Sequence, residues 1–299
     1  MTANANVSGG LSRRWRLTVW LGAAVVGIGC AAGAGAQTQF DRGQNVQPVF
    51  EGWEENADGS FNLVFGYLNR NYEERPHIPV GPNNQFSPGE PDRGQPTHFY
   101  PRRQSFVFKV RVPVDFGDQD LVWTLTRVGR TDTATGSLWP VWEIDENVVA
   151  HNRGLGTPEY VDNTAPRIEV VDESELTVTM PETATLKVVV SDEGSGIFAP
   201  RRRRRRGSNR RPGPNTQNVV DPRRAVEAGG LAVTWLQHRG PGVVTFTPMS
   251  PPIEAGAATT VASFSAPGTY VLRAVADDLL EPASAYVTVT VNPPASTSR

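Results

Sequence analysis

From about residue 49 onward, apolar and polar positions alternate with period two, the mark of strands that bury one face. Phe61, Leu63, Phe65 and Tyr67 share one face of a predicted strand. Phe106, Phe108, Val110 and Val112 repeat the pattern most cleanly, with Ser105, Lys109 and Arg111 opposite. Leu121, Trp123 and Leu125 form a third strand. Trp139, Trp142 and Ile144 mark a fourth, which Pro140 interrupts and so places at a sheet edge. No window of a dozen residues carries a helical i, i+3, i+4, i+7 stripe. After a polar lead-in at 37–48, the pattern therefore predicts a small β-sheet or sandwich domain over 46–155.

A linker follows at 156–166, marked by Gly156, Pro158 and Pro166 within polar filler. Beyond it, short strands recur at regular spacing. They centre on Ile168–Val171, Leu176–Thr179, Thr185–Ser191, Leu231–Gln237, Val243–Thr247, Thr259–Ser265, Tyr270–Ala276 and Tyr286–Val291. Even spacing broken by Gly and Pro turns predicts a β-sandwich over 167–292, with a polar tail at 293–299. The fold class is all-β.

Residues 1–36 read as an export signal with a helical apolar core. Arg13, Arg14 and Arg16 form a basic start, Leu17–Ala36 is apolar and small, and Ala34-Gly35-Ala36 precedes Gln37. That small-x-small pattern sets cleavage between Ala36 and Gln37. Ser12-Arg13-Arg14-Trp15-Arg16-Leu17 partly resembles a twin-arginine signal, and Gly27-Ile28-Gly29-Cys30 partly resembles a lipobox. Soluble export and a lipid anchor on Cys30 compete, as do the two export routes. No later segment approaches the roughly 18 apolar residues of a membrane span, so the mature chain is expected not to cross a membrane.

The run Leu231-Ala232-Val233-Thr234-Trp235, followed by Gly240-Pro241-Gly242 and Val244-Thr245-Phe246, resembles the central strands of bacterial immunoglobulin-like and PKD-type domains. Phe264–Asp278, with Gly268-Thr269-Tyr270, resembles their corner and sixth strand. The resemblance covers about 165–292 and implies that the Tyr270 hydroxyl bonds back to the corner backbone. It also implies that Trp235 stands for the core tryptophan of the third strand. The chain departs from antibody domains in lacking the Cys pair and in having a very long loop at 193–230. The family implies an extracellular, non-catalytic module for spacing or adhesion. Upstream, Phe50-Glu51-Gly52-Trp53, Asp58-Gly59-Ser60-Phe61 and Gly66–Asn71 resemble a module of uncharacterised exported bacterial proteins, which bears on location and not on mechanism.

Charge sharpens the picture. The 299 residues hold 29 basic and 31 acidic side chains. Of the basic residues, 27 are Arg and two, Lys109 and Lys187, are Lys. Ten Arg lie between 201 and 224, opposed only by Asp221. Near-neutrality thus hides an acidic body carrying one basic loop. Arg201, Arg202, Arg203, Arg204, Arg205, Arg206, Arg210 and Arg211 are candidate anion ligands, since guanidinium groups grip phosphate and carboxylate in pairs of hydrogen bonds. The competing reading is a low-complexity insertion born of arginine-rich coding. No aromatic is interleaved for base stacking, so nucleic acid is not an expected partner. Asp192, Asp277 and Asp278 at the loop's root are a weak Ca²⁺ candidate, with solvated turn acids as the default.

The second candidate is the segment 75–103, with seven Pro among its residues. Loops of this length in compact domains are uncommon and are usually functional or disordered. Tyr72, His77, His98, Tyr100, Arg102 and Arg103 are its candidate ligand contacts, able to stack on and hydrogen-bond a sugar or peptide. The plain alternative is that Phe86, Phe99 and Tyr100 tuck the loop onto the sheet. No nucleophile elbow, zinc helix, P-loop or dinucleotide fingerprint occurs, and no cofactor is expected. The expected function is non-enzymatic: an exported envelope or extracellular protein that binds, adheres or scaffolds, with envelope polysaccharide or another envelope protein as partner. A secreted carbohydrate-active enzyme with its site in 75–103 and a polyanion binder acting through the Arg-rich loop are the alternatives.

Overall fold

The structure is a computed structural model that describes residues 40–144, 148, 164–171, 173–193, 230–278 and 282–295. The signal segment, the Arg-rich loop and most of the linker lie outside these. The described architecture is all-β. Its strands are β1 (Val46–Glu55), β2 (Phe61–Asn69), β3 (Asn84–Ser87), β4 (Arg102–Val112), β5 (Leu121–Arg127) and β6 (Arg130–Gly136), then β7 (Arg167–Val170), β8 (Glu175–Thr179) and β9 (Ala184–Ser191). They continue with β10 (Ala232–Arg239), β11 (Val244–Thr247), β12 (Ile253–Glu254), β13 (Ala257–Phe264), β14 (Gly268–Asp277) and β15 (Pro282–Asn292).

The first six strands form two three-stranded sheets, β1-β2-β4 and β3-β5-β6. The predicted alternations supply the core between them. Leu63, Phe65 and Phe108 from one sheet meet Phe86, Trp123 and Leu125 from the other. Phe86 stacks on Trp123 at 5.9 Å, and Phe108 meets the same indole edge-on at 5.0 Å. Aromatic packing of this kind adds roughly 0.5–1.5 kcal/mol per pair beyond area burial.

Four local features differ from the sequence pattern. Strand β1 opens at Val46, inside the expected polar lead-in, because it pairs along its length with β2 from Val46↔Asn69 to Glu55↔Phe61. Strand β6 is polar enough to escape hydrophobic alternation, since its inward positions are small: Ala134 is buried, and a Cβ on Gly136 would stand 2.9 Å from the Phe65 ring. The Trp139–Ile144 stretch forms a 3-10 turn at Pro140–Trp142 instead of a strand. It crosses the edge of β1, where Trp53 Nε1 donates to the Trp139 carbonyl at 2.9 Å and Ile144 N–H donates to the Trp53 carbonyl at 2.8 Å. Finally, the β4 alternation holds for Phe108, Val110 and Val112 but breaks at Phe106, which a bulge turns out of the core.

In the second half, β10-β14-β15-β8 and β11-β13-β9-β7 form two facing sheets. This order is that of an immunoglobulin-type sandwich, with the first strand divided between both sheets as β7 and β8. Trp235 of β10 is fully buried, and the Tyr270 hydroxyl donates to the Ala266 carbonyl at 2.7 Å. Gly240, at φ 144°, lies against the face of the Tyr270 ring, where a Cβ would approach Cδ1 to 2.1 Å. The corner hydrogen bond and the buried tryptophan are those that the resemblance implies.

Candidate functional site

The outer face of the β10-β14-β15 sheet sets this sandwich apart. A strand with one wet face shows alternating burial, yet β10 is buried from Ala232 to His238 and β14 from Leu272 to Asp277. Odd positions such as Trp235 and even positions such as Leu272 and Ala274 fill the sandwich core. Their neighbours Leu236 and Val275 form a separate apolar cluster with Tyr100 of the first half. Tyr100 belongs to the Pro-rich segment 75–103. This segment is therefore the seam between the two sandwiches.

The segment is built to present a defined surface. Within it, β3 pairs with β5, and His77 bridges His98. Buried amides replace the missing ladder bonds. Asn84 Nδ2 donates to the carbonyls of Ile78 and Pro96, each at 2.9 Å, and its Oδ1 accepts Trp123 Nε1–H at 2.9 Å. Gln95 Nε2 donates to the Pro91 and Asn84 carbonyls, and Asn69 Nδ2 does the same for Glu74 and Phe99. Each amide satisfies backbone groups that burial would otherwise orphan.

Across the seam the contacts are polar and directional. Gln237 N–H donates to the Tyr100 hydroxyl oxygen at 2.9 Å, and Tyr100 N–H donates to the Tyr67 hydroxyl oxygen at 2.9 Å. The N–H groups of Thr97 and His98 both donate to the His238 carbonyl. The His238 ring in turn bonds through Nε2 to the Gly94 carbonyl at 2.8 Å. Because a carbonyl only accepts, Nε2 carries the proton of the neutral ring. Arg239 donates to the Gln95 carbonyl through Nε and clasps Asp92 with both Nη groups, at 2.6 and 3.0 Å. Burial drives the His238 pKa down to about 3, and His98, buried against the Tyr100 ring, also falls to about 3 through desolvation reinforced by Arg75 and His77. The Arg239 guanidinium holds the Asp92 carboxyl below its usual range.

The sequence-predicted contacts divide between this seam and its surroundings. His98 and Tyr100 are 5% and 3% exposed, enclosed in the seam. His77 is exposed, and desolvation lowers its pKa. Tyr72 and Arg102 form a separate surface pair, the guanidinium lying 4.1 Å over the ring while Nη1 donates to the Arg70 carbonyl. Arg103 pairs with Glu51 at 2.7 Å. Of the Ca²⁺ candidates, Asp192 is exposed while Asp277 and Asp278 are buried. The register Ala232↔Asp277 sets the start of β10 beside Asp277. Among the described residues no three His, Cys, Asp or Glu side chains come together to hold a metal ion. Arg201–Arg206, Arg210 and Arg211 and the Ala36/Gln37 cleavage site lie outside the described residues.

Sequence reasoning missed the cleft beside the seam. It has a volume of about 650 Å³ and opens between β4 and the β14-β15 face. Phe106, Val271 and Tyr286 line it, with Arg273 on its floor and the Lys109–Glu54 ion pair at its rim. The available signal was the continuous apolar stretch Tyr270–Ala276, with Arg273 as its one charge. Among the described residues no helix is long and apolar enough to cross a membrane.

No protein-family model and no curated protein matches the chain. Solved structures similar to it include the PKD domain of human KIAA0319, at 16% identity over 48% of this chain and 96% of that one, with a TM-score of 0.24. Domains 4 and 5 of the S-layer protein SbsC match at 11% identity over 58% and 66%, with a TM-score of 0.26. The fibronectin(III)-like modules of Clostridium thermocellum CbhA match at 11% identity over 84% and 94%, with a TM-score of 0.25. The immunoglobulin-type assignment rests on this chain's own strand order and tyrosine corner.

Proposed function

We propose that this is an exported, non-enzymatic protein of the bacterial envelope or exterior, whose joined sandwiches serve as a scaffold or adhesive body. The observation that supports this reading most directly is the seam. Tyr100, His98 and Thr97, which a ligand-binding or catalytic loop would hold toward solvent, instead bind the main chain of Gln237, His238 and Gly240. A segment so occupied stiffens two domains into one lever, which suits spacing and attachment. It also withdraws His98 and Tyr100 from the carbohydrate-active alternative. Export follows from the arginine start, apolar core and Ala34-Gly35-Ala36 of the first 36 residues.

A second reading, polyanion binding through the Arg-rich loop, is favoured by the charge division: ten Arg within 201–224 against an otherwise acidic chain. Both are tested by capturing envelope and exopolysaccharide fractions on the mature protein at low and high salt. Retention that survives salt supports adhesion by the body of the protein. Capture lost at high salt, and lost on deleting 201–211, supports the polyanion reading. Turnover of a polysaccharide by the purified protein overturns both.

A further inference from the structure

We propose that the cleft between β4 and the β14-β15 face is a binding site for an amphipathic carboxylate, a ligand with an apolar acyl body and one anionic head. The inference goes beyond the scaffold reading and does not depend on it. Three observations converge. The first is a buried cation. Arg273 is 8% exposed, and its hydrogen-bond partners are neutral: Nε donates to Ser284 Oγ at 2.9 Å and Nη2 to the Phe106 carbonyl at 3.2 Å. The other cations of the cleft, Lys109 and Arg239, are matched by Glu54 and Asp92. Among the described residues, no carboxylate stands within ion-pair distance of Arg273. A buried guanidinium without a counter-charge is costly, and an apolar side chain of similar size would serve packing better. An anion in the cleft, meeting the guanidinium donors that Ser284 and Phe106 leave over, resolves that cost.

The second observation is local strain. Phe106 has φ 51°, a left-handed conformation uncommon for a bulky side chain. Three residues, Ser105 to Val107, oppose Gly66 alone between the pairs Phe65↔Phe108 and Tyr67↔Gln104. The bulge is held from both ends of the peptide: Phe106 N–H donates to Glu51 Oε1, and its carbonyl accepts Arg273. Burial raises the Glu51 pKa, although Arg103 opposes the rise. Strain held this way takes Phe106 out of the core alternation and sets it on the cleft wall, the use to which bulges beside binding sites are put.

The third is the lining itself. Phe106, Val107, Val271 and Ala283 give the cleft apolar sides, and of its charged side chains Lys109 and Arg239 are paired with Glu54 and Asp92, which leaves Arg273. Apolar sides with a small number of placed polar groups are the usual composition of a small-molecule site, and about 650 Å³ lies within the usual size range. The Arg273 charge on the floor and the apolar sides thus select one head and one body.

The test is isothermal titration of the full mature chain with dodecanoate below its micellar range, with dodecanol as the uncharged match. Saturable one-to-one binding of dodecanoate is expected, with dodecanol weaker by about tenfold or more, the loss that accompanies a missing charge-assisted contact. Val271→Trp, which fills the cleft while keeping the Arg273 charge, is expected to abolish binding, and Arg273→Met to reduce dodecanoate to the level of dodecanol. If Arg273→Met fails to fold, the Val271→Trp variant and the dodecanol comparison still decide. Equal affinity for both ligands, unchanged binding in Val271→Trp, or no binding to the native chain overturns the proposal.

Discussion

The hydroxyl oxygen of Tyr100 accepts the backbone N–H of Gln237 at 2.9 Å, although the two residues stand 137 positions apart and belong to different sandwiches. A single phenol thus closes the end of the β10 ladder facing the first sandwich. Around it, Leu236 and Val275 exclude water, so the bond forms in a setting where its loss is expensive. Tyr100→Phe keeps the ring and leaves the Gln237 N–H buried without a partner. Urea denaturation is expected to show a loss of about 1–3 kcal/mol, the cost of one orphaned buried donor. Tyr100→Ala should cost more, because a cavity is added.

Asn84 offers a sharper case. Its one amide bonds the carbonyls of Ile78 and Pro96 and the indole of Trp123. Asn84→Ala should destabilise by roughly 3 kcal/mol or more, since three groups lose partners at once. The same variant should raise amide exchange along 76–99 before exchange rises elsewhere. Uniform exchange across the chain would show that the segment is not held by this residue.

The seam should be acid-sensitive. His98 and His238 titrate near pH 3 in the fold, against about 6.5 for a free imidazole. Both stay neutral in the folded protein while the unfolded chain takes up protons below pH 6.5. Stability from these two groups is therefore complete above that value and declines as pH falls toward 3, by up to about 1.4 kcal/mol per pH unit for each histidine. Chemical denaturation at pH 7.5 and pH 5 measures the decline. The double variant H98N/H238N is expected to flatten it; an unchanged slope would assign the acid sensitivity to other groups.

At the corner of the second sandwich, Tyr270→Phe removes the bond to the Ala266 carbonyl and should cost about 1 kcal/mol. Gly240→Ala should cost clearly more, because its Cβ collides with the Tyr270 ring at a φ that side chains resist. A thermal melt that ranks the two the other way would show that the corner is held by its hydrogen bond and not by close packing.

The Arg239–Asp92 pair bridges the sandwiches at the surface, with Asp92 about half exposed. Its contribution should be small, within about 1 kcal/mol, and should fade with added salt. A double-mutant cycle between Arg239→Ala and Asp92→Ala reads the coupling directly. A large, salt-independent coupling would mean that the pair acts as part of the buried seam.

What the sequence by itself determined was set by local chemistry. Alternation at Leu63, Phe65 and Tyr67 and at Leu121, Trp123 and Leu125 named strands and core together, because a pleated chain presents every second side chain to one side. The Tyr270 corner was legible only through the resemblance that Gly268-Thr269-Tyr270 bears to immunoglobulin-like domains. Alternation failed where a strand faced something small, as at Ala134 and Gly136, or where a bulge broke the period, as at Phe106. The tertiary structure alone decided the seam and the cleft. His98 and Tyr100 read as ligand contacts because their partners, Gln237 and His238, lie far along the chain and act through the main chain, which has no sequence signature. Arg273 is a lone charge within a predicted strand, and its burial follows only from the packing of β4 against that face. Burial by a distant element turns a surface residue into a site, and no local pattern carries that information.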